Sequence, residues 1–383
     1  MNTTSLLLAP TASAPERHAG FDVLRGYMTL LVLFHHTAIT YGAIGGWYYK
    51  EVKPAASISG TLLVLFCTTN QAYFMGLFFL IAGYFTPAAI ARKGGLRYLS
   101  DRGVRLGLPL LFFGWVLGPA TIAMAATSRQ QPFDATLLQL WHRHVFENGP
   151  LWFAQALLIF AVTAVVCMRA SAGLRNRPAA PADTHRPWPS NTTLALAAAL
   201  TGVAAVLLRQ FWPVGVNVWG LQLGYFASYV VLFAFGCIAA APRWLEHVPA
   251  SQEGVWKRVA TLAFPLLPAW YFLAKAVPVL AGKPLDVVYA FWEPLVAWGV
   301  ILVLLHRLTN DTRLFGPIRE RLGRRAYAIY IIHPPVLVAI ALAWRQVAAP
   351  QLVKFAVTGT MTCFACYLLA GLLVRCPGVR RIV

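Results

Sequence analysis

Ten apolar stretches, each close to the ~20 residues that a helix needs to cross a bilayer, divide this 383-residue chain. They fall near 23–43, 60–85, 104–126, 151–169, 192–208, 221–241, 259–280, 285–306, 326–344 and 352–374. Hydrocarbon offers no partner to a backbone N–H or C=O, so a chain built this way must satisfy both within helices. The pattern predicts an all-α polytopic integral membrane protein with about ten transmembrane helices. Only 12% of the residues are charged, against about 25% in an ordinary soluble domain.

The connections give the orientation. With the N-terminus cytoplasmic, 23 Lys and Arg residues fall on the inner side and 9 on the outer side, and each loop alternates in the same sense. The positive-inside rule then places both termini in the cytoplasm. The net charge of +19 is accounted for by this topology. It also lets the inner face meet membrane lipid headgroups or an anionic substrate. Nucleic acid is not expected as a partner, because the basic residues sit between spans rather than on an exposed polar face.

Residues 1–20 lack the positive start of a signal peptide and read as a disordered cytoplasmic tail. Residues 21–375 read as one ten-helix membrane domain, and 376–383 as a short basic cytoplasmic tail. The Pro- and Arg-rich linker at 170–191 reads as a mobile cytoplasmic loop. All six cysteines, the Cys363/Cys366 pair included, lie in or beside apolar segments and suit packing better than a disulfide framework or a metal. No internal repeat stands out, which weakens an inverted-repeat transporter reading.

Ionisable residues inside spans are costly and mark candidate sites. The first span, Phe21–Gly42, holds Arg25, His35 and His36. From Arg25 to His36 is eleven residues, about 20° past three full turns, so the two share a face roughly 16 Å apart along the axis. His35 points about 80° away, toward a neighbouring helix. Arg25 has an ordinary explanation as a snorkelling anchor, which explains less about His36.

Three further constellations stand out. Arg102 and Arg105, at i,i+3 on the inner threshold of the third span, could hold a phosphate between planar guanidinium forks, or simply anchor the span with Arg92, Lys93 and Arg97. Glu293, followed by Pro294, is an acid within a span that must be paired, protonated or wet. His333 precedes two prolines and lies about 12 Å deep from the inner side, near enough to the level of His36 for both to border one cavity. Outside, the segment 127–150 ends in a polar lip that includes Glu147 and Asn148.

In combination these residues resemble the membrane-bound acyltransferase-3 family, which includes glucan succinyltransferases and polysaccharide O-acetyltransferases. The resemblance rests on Phe21–His36 with its Arg25 and His36, on Phe78–Phe85, on Arg102 and Arg105, on Gly149–Phe153 with Trp152, and on Tyr327–His333. It extends over roughly 20–375 and implies a bacterial inner-membrane enzyme. Such an enzyme passes an acetyl or succinyl group from acetyl-CoA or succinyl-CoA to a hydroxyl of a glycan or other envelope acceptor, without a metal.

On that reading His36, as general base, and Arg25 are both essential, and Arg102 and Arg105 assist at the acyl-CoA donor side. His35, Trp152 and His333 line the cavity, and Glu293 takes the place of a late-span acid. An imidazole with its ordinary pKa of ~6.5 is largely neutral near pH 7, which suits a base. Other classes stay open on the residues alone. A transporter or flippase would use the same Arg, His and Glu as a proton path, and a sensor or scaffold would need no chemistry. A haem or metal site would need His35, His36 and His333, among which no i,i+4 pair occurs.

Overall fold

The computed structural model describes residues 19–54, 57–175, 186–310 and 316–382. Of the tail expected over 1–20, residues 1–18 lie outside the described residues, as do 176–185 of the linker expected over 170–191. Among the described residues the protein is helical, with no strand. We number the principal helices α1 (Ala19–Thr40), α2 (Ile58–Lys93), α3 (Gly95–Arg129), α4 (Gly149–Ser171), α5 (Asn191–Phe211), α6 (Phe226–Ala239), α7 (Ala250–Ala276), α8 (Lys283–Asn310), α9 (Pro317–Ala343) and α10 (Gln351–Leu373). Among the described residues eight helices are long and apolar enough to cross a membrane; α1, with its polar residues, and the 14-residue α6 lie on the other two apolar stretches.

Local chemistry explains where helices outrun or fall short of those stretches. Ser57 caps α2, its Oγ accepting from the Gly60 N–H at 3.0 Å, and the helix then runs 36 residues until Gly94 turns away at φ 76°. Helix α3 contains two five-residue π turns, Gly103–Gly107 and Phe113–Leu117. Helix α6 starts late because 212–222 is an irregular loop with Gly215 and Gly220 at positive φ. Helix α7 breaks at Phe264 and Pro265, where the proline has no N–H to continue the ladder. The 376–383 tail includes the short helix Pro377–Ile382.

Helix α1 packs against α2, α8, α9 and α10. Its closest approach is to α9, where both backbones nearly touch. A Cβ on Gly26 would meet the Gly323 nitrogen at 3.1 Å, and a Cβ on Gly323 would meet the Asp22 carbonyl oxygen at 2.4 Å. The helices run parallel from that point. His36 and His333 lie ten residues beyond Gly26 and Gly323 respectively, about 15 Å along each axis, so the glycine contact sets them level.

Candidate active site

His36 and His333 meet, with Nδ1 of His36 3.0 Å from Nε2 of His333. Proton positions follow from the next partner. Nδ1 of His333 lies 2.7 Å from the Tyr330 carbonyl oxygen, which can only accept. Nδ1 of a neutral His333 therefore carries the proton and its Nε2 is bare. His36 must then donate from Nδ1, which leaves its own Nε2 with a free lone pair.

The sequence builds this chain locally. In an uninterrupted helix the Tyr330 carbonyl would accept from the N–H of residue 334, but residue 334 is proline and has none. The freed carbonyl takes the His333 proton instead. His333 is fully buried, whereas His36 is partly exposed.

Trp47 covers the pair. Its ring stacks on His36 at 4.1 Å between centroids, with planes 9° apart, and reaches over His333 at 6.0 Å. Its Nε1 is buried and has no hydrogen-bond partner among the described residues. The loop that carries it is fastened at several points. The Glu51 N–H donates to the Thr40 carbonyl at 2.9 Å, and Glu51 pairs with Lys354, whose Nζ also donates to the Arg345 carbonyl at 3.1 Å.

The lip at the start of α4 closes over the same place. Tyr48 Oη donates to Glu147 Oε1 at 3.3 Å, and the Gly149 N–H donates to the same oxygen at 3.0 Å. Burial and the Glu147 carboxylate hold the Tyr48 phenol well above its ordinary pKa, so it stays a donor. Gly149 is required at φ 43°, since a Cβ there would fall 2.0 Å from Tyr48 Oη. Tyr330 Oη donates to the Pro150 carbonyl, tying the lip to the histidine helix. Beside the lip opens a cavity of about 410 Å³, lined by Leu110, Phe146, Asn148, Gln155, Trp219 and Gly220.

At the N-terminal end of α1 Arg25 pairs with Asp22 at 3.2 Å and lies over the Phe85 ring at 5.4 Å. Arg102 and Arg105 are close enough to act on it electrostatically, and Arg105 also acts on Tyr327, whose buried Oη has no partner among the described residues. The α-helical i,i+3 spacing expected for Arg102 and Arg105 is not what forms. Arg105 sits in the π turn Gly103–Gly107, whose wider winding changes its direction relative to Arg102.

The remaining candidates differ in their distance from the pair, and His35 stands edge-on to His36 at 5.7 Å. His35 faces α2, stacked on Phe74 at 5.0 Å, with the Cys67 thiol directed at its carbonyl. Trp152 packs on Tyr229 at 5.7 Å and near Phe79, one residue from the Phe153 ring that meets Tyr330 edge-on at 6.3 Å. Glu293 lies in a separate buried cluster and pairs with Arg209. Arg209 also donates from Nε to the Gly224 carbonyl at 3.1 Å, between the rings of Tyr225 and Tyr289.

A family model described as an acyltransferase domain matches residues 18–371. The chain belongs to the acyltransferase-3 family. It is accordingly a membrane acyltransferase, with the all-α architecture already described. No curated protein and no solved structure matches it.

Trp47, Tyr330 and Arg209 were not among the residues that the sequence singled out. For Tyr330 a signal existed, because Pro334 identifies the carbonyl four residues earlier as free. For Trp47 there was only a tight aromatic cluster in a short outer loop, Trp47–Tyr49, which by itself reads as packing.

Proposed function

We propose that this protein transfers an acyl group, acetyl or succinyl, from cytoplasmic acyl-CoA to a hydroxyl of a glycan or other envelope acceptor, with His36 as general base. The observation that carries the reading is the hydrogen-bond chain from the Tyr330 carbonyl through His333 to His36. Its free end is a basic ring nitrogen inside a membrane domain. A proton acceptor held in one tautomer by a neutral partner is what deprotonating a hydroxyl requires.

The two ends of the bundle divide the substrates. The CoA phosphates bind at Arg102 and Arg105, with Arg25 beside them, where planar forks match phosphate oxygens. The thioester extends past Tyr327 toward His36. The acceptor enters under the lip at Glu147–Pro150. His36 Nε2 takes the hydroxyl proton as the oxygen attacks the thioester carbonyl, and the tetrahedral intermediate collapses with loss of CoA thiolate, which receives that proton. His333 acts by positioning His36 rather than by touching substrate. The arrangement goes with ten crossings, both termini cytoplasmic, in a bacterial inner membrane, and with no metal.

Sealed vesicles of known sidedness test this reading. Labelled acetyl-CoA supplied on the face that exposes Arg102 and Arg105 should pass its label to a glycan fraction on the opposite face. Label transferred only when donor and acceptor share one face would contradict the division of the site. Ion or substrate flux without acyl-CoA would favour a transporter instead.

A further inference from the structure

Acyl transfer needs two things at the carbonyl: a base for the attacking hydroxyl, and a donor for the negative charge that develops on the carbonyl oxygen. The histidine pair supplies only the first. A donor for the second must be aimed at the reaction and unused by the protein itself.

Several buried polar atoms have no partner, among them His35 Nδ1, Asn70 Nδ2, Tyr327 Oη and Trp47 Nε1. His35 is stacked on Phe74, and its ring stands nearly perpendicular to that of His36. Asn70 Oδ1 is engaged by Tyr73 on the same helix. Tyr327 lies toward Arg105 at the inner end. Trp47 alone of these lies flat on His36, with ring centroids 4.1 Å apart.

We propose that the Trp47 indole N–H is the oxyanion donor of this enzyme. The proposal deepens the acyl-transfer reading and rests on it. An acceptor oxygen bonded to His36 Nε2 lies in the imidazole plane, and the carbonyl carbon that it attacks lies to one side of that plane. Trp47 forms the cover on one side of His36. A thioester on the indole side presents its carbonyl oxygen to Nε1–H.

In the step itself, the acceptor O–H bond breaks with its proton going to His36 Nε2, and the new C–O bond forms. The carbonyl π pair moves onto oxygen, which accepts a hydrogen bond from Trp47. Collapse re-forms the carbonyl, breaks the C–S bond, and returns the proton from His36 to the thiolate. The Glu51–Lys354 pair and the Glu51–Thr40 backbone bond fasten the loop, and the indole N–H is uncovered to the carbonyl oxygen when substrate enters. An indole N–H left bare in a dry interior is costly to the fold unless something uses it.

The test is full-length protein in lipid nanodiscs carrying Trp47→Phe, which keeps an aromatic ring on His36 and removes the N–H. A second variant carries 3-benzothienylalanine at position 47, which keeps the indole shape and replaces N–H by sulfur. Both should lose about 10²-fold in kcat for CoA release, with KM for acyl-CoA and the midpoint of the pH–rate profile as in wild type. A kcat within about threefold of wild type in the isosteric variant would overturn the proposal, since loss of a working oxyanion donor costs far more. So would a loss confined to KM or a displaced pH profile, either of which would make Trp47 a packing or positioning residue. His36→Ala runs in parallel. An active wild type, a silent His36 variant and a fully active isosteric variant would remove this proposal and leave acyl transfer standing. Equal silence in wild type and His36→Ala would remove the reading beneath it.

Discussion

Two polar constructions lie inside this apolar bundle, and they differ in how they end. Arg209 and Glu293 face each other at 7% and 2% exposure, with the guanidinium between two tyrosine rings and bonded to a backbone carbonyl. Its Nε and Nη2 are spent inside the protein, while Nη1, buried, has no hydrogen-bond partner among the described residues. The His36–His333 chain starts on a backbone carbonyl as well, but its last atom, His36 Nε2, is left over. A buried ion pair returns little net stability for its desolvation, though breaking it by removing one partner is severe. A chain with a free terminus has something to give a substrate. The first construction therefore suits holding α5 to α8, and the second suits chemistry.

The comparison can be broken in several ways. The largest expected effect is in His36→Ala, which should lower kcat by about 10³-fold or more while thermal unfolding in detergent stays near wild type. Removing its positioning partner in His333→Ala should cost about 10²-fold in kcat, with KM for acyl-CoA unchanged. The ion pair should respond the other way. Glu293→Ala or Arg209→Ala should cost about 3–5 kcal/mol of stability, read as a fall in unfolding temperature, while the folded fraction keeps its kcat. A double replacement by apolar residues should recover much of that loss. A Glu293 variant that stays stable and loses kcat would place the acid in the chemistry after all.

Smaller effects sharpen the assignment of the inner end. Arg102→Gln and Arg105→Gln should each raise KM for acyl-CoA about tenfold, the size of one charge-assisted hydrogen bond, with kcat preserved. Salt should shrink the difference for Arg105, the more exposed of the two. The smallest expected effect is in Pro334→Ala. It restores an N–H that competes with His333 for the Tyr330 carbonyl, and should slow turnover about threefold, a fraction of one neutral hydrogen bond.

Much of this was legible beforehand, for reasons that differ by residue. Apolar length announces the helices, because a bilayer imposes it. His36 is visible as a costly residue on the face of Arg25, and helical rise alone puts His333 at a similar depth. That they touch was not legible, since it depends on the Gly26–Gly323 approach between helices about 300 residues apart in sequence. The partner of Glu293 was hidden for the same reason. Arg209 looks like an ordinary outer-end arginine until α5 packs on α8. The winding of Arg105 was missed because a π turn has no firm signature in Gly103–Gly107. Trp47 was missed because a loop residue acquires meaning only from what it covers.

The most direct measurement of the central claim is CoA release by purified protein in lipid nanodiscs, offered acetyl-CoA and succinyl-CoA with a periplasmic glycan fraction, for wild type beside His36→Ala. The account predicts acceptor-dependent release in the wild type and none above background in a folded His36 variant. Wild-type release that persists undiminished in His36→Ala would contradict it, and would move the base to another residue.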